Sequence, residues 1–158
     1  MRNLVKGQEM DASNHQVIEV TNPATGEFID TVPNSTEEDV DMAVTAAVEA
    51  QKSWAEVPLH ERGRILEKFV DLVERDKEEL AQLLCKETGK PIKEARDEIG
   101  NTRKFVYAYV ERAKHLYGIN IPTGNEPGYE NDVQFTIRQP LGVVACIIPF
   151  NFPCDLFG

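Results

Sequence analysis

Near the end of the chain, Val143-Val144-Ala145-Cys146-Ile147-Ile148 is apolar throughout and runs straight into Pro149-Phe150-Asn151-Phe152-Pro153. A short unbroken apolar run bounded by prolines, here Pro140 and Pro149, has no polar face to turn toward water. It reads as a strand buried on both faces, of the kind found in a parallel sheet. Parallel strands need neighbours joined by long crossovers. The helices predicted upstream can cover one face, but only ten residues follow the run. The fold class expected is therefore α/β: short β-strands, three or four long helices, then the first buried strand of an incomplete parallel sheet. The same argument predicts that the chain is truncated where a main domain begins.

Upstream, the pattern resolves into elements. Val17 to Val20 and Phe28 to Val32 flank the turn formers Asn22-Pro23-Ala24-Thr25-Gly26 and read as short strands within residues 17–33. Residues 36–118 read as helices. Ser35 with Glu38 fits a capping box, and Val40, Ala43, Val44, Ala47 and Trp54 then share one helical stripe. A break near Pro58 opens the next helix, with Leu66, Phe69, Val70 and Val73 on its stripe. Leu80, Leu83 and Leu84 continue the spacing. Asp76 with Glu79 can recap the chain between them, so one bent helix and two short ones both fit. Gly89 followed by Pro91 is a stop signal. Ile92, Ala95, Ile99, Thr102, Val106, Tyr109, Ala113 and Leu116 then alternate steps of three and four until Gly118. Such a seam suits a coiled coil, but small and polar members at Ala95, Thr102 and Ala113 favour packing inside one domain. After a Pro/Gly/Asn-rich loop, Val133 to Arg138 places apolar residues at every second position, the mark of a half-buried strand.

Charge and cysteine usage narrow the function classes. Acidic residues outnumber basic ones 27 to 17 across 158 residues, which argues against a nucleic-acid partner, since phosphate neutralisation needs a basic surface. The longest nearly apolar stretch, Leu141 to Phe150, falls well short of the ~20 residues that span a bilayer, and the first sixteen residues lack a signal-peptide core. No membrane partner is expected. Cys85, Cys146 and Cys154 form no close pair, and His15, His60 and His115 are scattered. No metal site is expected, and a reducing compartment, the cytoplasm, fits best. Asn34-Ser35-Thr36 matches a glycosylation sequon by chance in a chain with no export signal.

In open α/β sheets ligands gather beyond the carboxyl ends of strands, which is where Pro149 to Pro153 lies. Two prolines stiffen this loop and two aromatics can pack it, with Asn151 between them. A fixed amide there can donate to a developing oxyanion, or can simply satisfy backbone groups of the turn. From the residues alone, the second role is the simpler one.

The motifs add to this. Leu141-Gly142-Val143-Val144-Ala145-Cys146-Ile147-Ile148-Pro149-Phe150-Asn151-Phe152-Pro153 resembles the aldehyde dehydrogenase segment P-x-G-V-V-x-x-I-x-P-W-N-F-P. Asn22 to Glu27 resembles the NPATGE turn of that family, Trp54 with Arg62 and Leu66 its W…R…L helix entry, and Glu87 to Pro91 its ETGKP helix stop. The resemblance runs from about residue 17 to the end. It implies that residues 1–158 are the N-terminal part of a cofactor-binding domain that takes NAD or NADP, with the catalytic domain absent. Residues 141–158 would carry the first Rossmann-like strand and the Asn loop, and residues 131–140 the start of an oligomerisation arm. Asn151 corresponds to the asparagine whose amide holds the oxyanion of a thiohemiacetal. Ile147, Ile148, Pro149 and Phe150, with Asn151, correspond to the segment lining the nicotinamide. Phe150, where many members have Trp, and Cys154-Asp155 depart from the pattern and leave the subfamily and its substrate open.

The implied activity is NAD(P)-dependent oxidation of an aldehyde to an acid or acyl thioester, by a full-length homo-oligomer, dimer or tetramer. The cysteine nucleophile, the glutamate base and the ribose-binding residues are outside these residues, so the chain alone is expected to be inactive. Cys154 lies near Asn151, but no motif places the nucleophile there. Cys85 and Cys146 read as small core residues. Two other readings remain: a non-catalytic truncated or oligomerisation fragment, and a helical interaction module built on residues 91–118.

Overall fold

A computed structural model describes residues 1–157. Six short strands and five helices are present among them, so the α/β content expected from the sequence is observed. The chain opens with a hairpin of β1 (Asn3–Val5) and β2 (Gln8–Met10). Lys6 and Gly7 between them both have positive φ, 53° and 73°, the twist a two-residue hairpin turn requires. Strands of three residues carry too little alternation to be read from sequence, and the pattern gives no sign of this hairpin.

β3 (Val17–Thr21) and β4 (Phe28–Pro33) pair antiparallel, as the turn formers between them predict. Asn22 closes that turn: its Oδ1 accepts from the Ala24 N–H at 2.9 Å and its carbonyl from the Gly26 N–H at 2.7 Å. β5 (Asn120–Ile121) pairs with β6 (Gln134–Phe135). The half-buried strand expected over 133–138 is thus shortened to two residues, and Val133, Phe135 and Ile137 are all exposed. Gly118 is needed here for close approach, since a Cβ on it would lie 1.8 Å from the Thr136 carbonyl oxygen.

The strand expected at 143–148 requires correction. These residues belong to no strand, and Leu141 and Ile147 are 96% and 95% exposed. The physical reason is partnership: a strand buried on both faces needs a ladder on each edge and a layer on each face. Among the described residues no strand pairs with it.

The helices carry the core. α1 (Glu37–Glu56) is capped by Thr36 and Asp39 rather than by Ser35 and Glu38. The Thr36 hydroxyl accepts from the Asp39 N–H at 3.3 Å, and the Asp39 carboxylate accepts from the Thr36 N–H at 2.8 Å. The register is set from outside, because the same carboxylate also accepts from the Ser13 N–H, while Ser35 is engaged by Asn3. The stripe expected on α1 stays largely uncovered, with Val40, Val44 and Trp54 exposed.

α2 (Leu59–Arg75) and α3 (Lys77–Thr88) are two helices rather than one bent one. Asp76 breaks them, but not as a side-chain cap: its carboxylate is gripped by Arg75 at 2.8 and 2.6 Å. α4 (Ile92–Ala113) packs on both. Ala95 and Ile99 join Ala81 and Leu84 of α3 in one buried cluster, and Val106 and Val110 join Val70 of α2 in another. The α4 seam is therefore covered within the chain. It is not the strict three-four seam predicted, because after Val106 the buried step falls on Val110 while Tyr109 is 66% exposed. A straight helix of 3.6 residues per turn drifts in this way from a 3.5 repeat. The helix stops at Ala113, short of Leu116 and Gly118. α5 (Pro153–Phe157) closes the described chain against α4.

Candidate functional site

The site is built outward from the corner between α3 and α4. Gly89 ends α3 in the left-handed region, φ 73°, with its N–H donating to the Cys85 carbonyl at 3.0 Å. A side chain at Gly89 is disfavoured twice, by that backbone and because a Cβ would lie 3.0 Å from Pro23 Cγ. The β3–β4 turn therefore sits against the helix stop, bringing together two motifs that are far apart in the chain. Cys85 Sγ donates to the Lys90 carbonyl at 3.0 Å, which further fixes the chain leaving the corner.

From that corner Lys90 reaches the Asn151 loop. Its ammonium donates to the Asn151 carbonyl oxygen at 2.7 Å, pairs with Glu98, and lies 4.6 Å from the centre of the Phe152 ring. Glu98 is fully buried on α4 and Lys90 is 11% exposed. The second Glu98 oxygen accepts from the Cys154 N–H at 2.8 Å. One carboxylate and one ammonium thus grip the loop at residues 151 and 154.

The surrounding charges act on their neighbours. Burial, reinforced by Glu98 and Asp155, pushes the Cys154 thiol up to about 11. Burial also raises the Asp155 carboxyl, with Glu98 adding to the effect. Cys154 therefore presents less thiolate than an ordinary cysteine at any given pH.

The predicted site residues divide between two environments. Ile147 and Phe150 are 95% and 85% exposed and Asn151 is exposed beside them. Ile148 turns the other way, into an apolar cavity of about 420 Å³ that it shares with Leu80, Leu84, Ile99 and Cys154. Pro149 is exposed. The sequence reading missed Glu98 and Lys90. A signal was present: Glu98 lies at the helical spacing of Ala95, Thr102 and the adjacent Ile99, so a carboxylate stood on the apolar stripe. Among the described residues, no group of three or more His, Cys, Asp or Glu side chains is arranged to hold a metal. No helix there is long and apolar enough to cross a membrane.

The sequence pattern of the aldehyde dehydrogenase family matches residues 10–158. The chain belongs to the aldehyde dehydrogenase family. Among curated members it is 40% identical over 152 residues to glutarate-semialdehyde dehydrogenase of Pseudomonas putida. That alignment takes in 96% of this chain and 31% of the relative. To the NADP(+) succinate-semialdehyde dehydrogenase of Escherichia coli it is 36% identical, covering 97% of this chain and 31% of the other. Among solved structures it resembles the NADP-dependent glyceraldehyde-3-phosphate dehydrogenase of Bacillus halodurans, complexed with NADP, with a TM-score of 0.91 and 32% identity. That likeness covers 97% of this chain and 32% of the other. The chain spans about a third of the length of the relatives it matches, and its helical layer and Asn151 loop are thus the N-terminal cofactor-domain portion of an aldehyde dehydrogenase.

Proposed function

We propose that the protein carrying this chain oxidises an aldehyde to an acid, or to an acyl thioester, using NAD or NADP and a cysteine thiohemiacetal. The observation that carries the reading is the family match over residues 10–158 together with an Asn151 whose backbone is held by Lys90. In this reading the Asn151 amide donates to the oxyanion, a role worth on the order of 10²–10³ in rate for a single donor. The nucleophile and the general base are supplied by residues outside this chain, so these residues alone produce no reduced nicotinamide from any aldehyde.

The residues present fit part of a nicotinamide cofactor. Ile147 and Phe150 offer exposed apolar surface suited to packing against a flat ring, and we assign Ile147, Pro149, Phe150 and Asn151 to that side of the site, with Ile148 of the same segment behind them. A nicotinamide cofactor held there would supply the hydride acceptor for the oxidation. Ile148 supports the segment from within, by anchoring in the cavity against α3 and α4.

The substrate class we propose is a semialdehyde bearing a carboxylate, because the glutarate- and succinate-semialdehyde dehydrogenases are named for such substrates. The reading also includes a cytoplasmic location and a homo-oligomer, dimer or tetramer. The three free cysteines and the exposed β5–β6 arm support these.

A hybrid tests the proposal. Residues 1–158 replace the matching segment of the Escherichia coli relative, and NADP+ reduction is followed with succinate semialdehyde and with an uncharged aldehyde of equal length. Turnover with preference for the semialdehyde is the expected result. A folded hybrid that oxidises neither aldehyde would contradict the proposal.

A further inference from the structure

We infer that Glu98 and Lys90 are positioning residues: a buried ion pair that fixes the backbone of the Asn151 loop and so aims the Asn151 amide. The inference rests on the role proposed above for Asn151. Its basis is the way a minimal set of charges is divided. The Glu98 carboxylate uses one oxygen for the Lys90 ammonium and the other for the Cys154 N–H. The ammonium directs its remaining capacity to the Asn151 carbonyl and the Phe152 face. Loop residues 151, 152 and 154 are therefore all tied to one pair, and nothing in that arrangement touches bulk water at Glu98.

Stability alone does not account for such a pair. Taking two charges out of water is costly, and well-packed apolar residues of the same size generally serve a helix interface as well or better. The neighbours on the α4 face are apolar or small: Ala95, Ile99 and Thr102. An apolar pair would fill the same space but could neither accept from a loop N–H nor donate to a loop carbonyl. Direction is what the charges add. Lys90 is itself fixed by the left-handed Gly89 before it and by the Cys85 thiol on its carbonyl, so the anchor is rigid on the helix side.

The Glu98→Gln/Lys90→Met double variant separates positioning from folding. It keeps both side-chain shapes and leaves no unpaired buried charge, and the introduced amide carbonyl retains an acceptor for the Cys154 N–H. It removes the ammonium from the Asn151 carbonyl. In the full 158-residue chain we expect melting to stay cooperative at a modestly lower temperature, because the introduced NH2 group has no acceptor, with the backbone amide resonances of residues 150–152 shifted and broadened while those at Ala95 and Val106 stay in place. In the hybrid described above, kcat falls about ten- to a hundredfold, as small misplacements of a catalytic group do. KM changes little, because the lost interaction acts on the transition state. Unmoved loop resonances, or an unchanged kcat in a hybrid that Asn151→Ala inactivates, would overturn the inference. If Asn151→Ala itself leaves kcat intact, the proposed role of Asn151 fails instead, and the loop resonances still decide whether the pair holds the loop.

Discussion

At the scale of single residues, Gly89 is constrained in two ways at once. Its left-handed backbone and the nearness of Pro23 both disfavour a side chain, and a Cβ in that region costs about 1–2 kcal/mol before any clash. Gly89→Ala is therefore expected to destabilise the chain by that much or more in urea unfolding, and an unchanged midpoint would show that the turn does not bear on the helix stop. Cys154 makes a second prediction. With its thiol pushed up to about 11 from the ordinary 9.0, it holds roughly a hundredfold less thiolate than an ordinary thiol near neutral pH. Peptide mapping after brief iodoacetamide treatment at about pH 8, near the ordinary thiol range, should find exposed Cys146 modified well ahead of Cys154. Equal rates would refute the buried, anion-flanked setting.

At the scale of elements, local chemistry was legible wherever it did not depend on a distant partner. The Asn22–Gly26 turn, the Gly89 stop and the Ala95–Ile99–Thr102–Val106 face follow from residue type and spacing, and all three are where the sequence predicts them. The α1 cap moved from Ser35 to Thr36 because Ser13, twenty-six positions before Asp39, claims the Asp39 carboxylate. Asp76 does not cap α3 because Arg75 occupies it. Glu98 escapes a sequence reading because a charge on an apolar face gains meaning only once Lys90 and Cys154 arrive from other elements. The α3–α4 contact also has a measurable pH signature. Hydrogen bonds from Arg96, then from Gln82, hold the Glu78 carboxyl down to about 2 from 4.5. A carboxyl depressed in the folded state stabilises above its unfolded value and loses that contribution as pH falls through the folded one. The small advantage of the parent chain over Glu78→Gln should thus be steady above pH 4.5 and vanish as the pH approaches 2. It should also shrink with salt, since both groups are largely exposed. An advantage that grows on acidification would contradict the pairing.

At the scale of the whole molecule, the helices and the Asn151 loop are formed, while the apolar run leading into the loop is uncovered. Its sequence reads as an interior strand and its structure as an unpaired segment with Ile147 and Leu141 exposed. The discrepancy lies in what surrounds it: interior strands are defined by neighbours, and these residues supply only the α3–α4 side, through Ile148. The support of Asn151 does not depend on that sheet, because Lys90 and Glu98 reach the loop from the helical layer. The claim on which the functional account turns is that the Asn151 amide stabilises the oxyanion. Measuring kcat of the Asn151→Ala hybrid on its preferred semialdehyde tests it most directly. A fall on the order of 10²–10³ is expected with KM little changed, whereas a kcat equal to that of the parent hybrid would remove Asn151 from the chemistry.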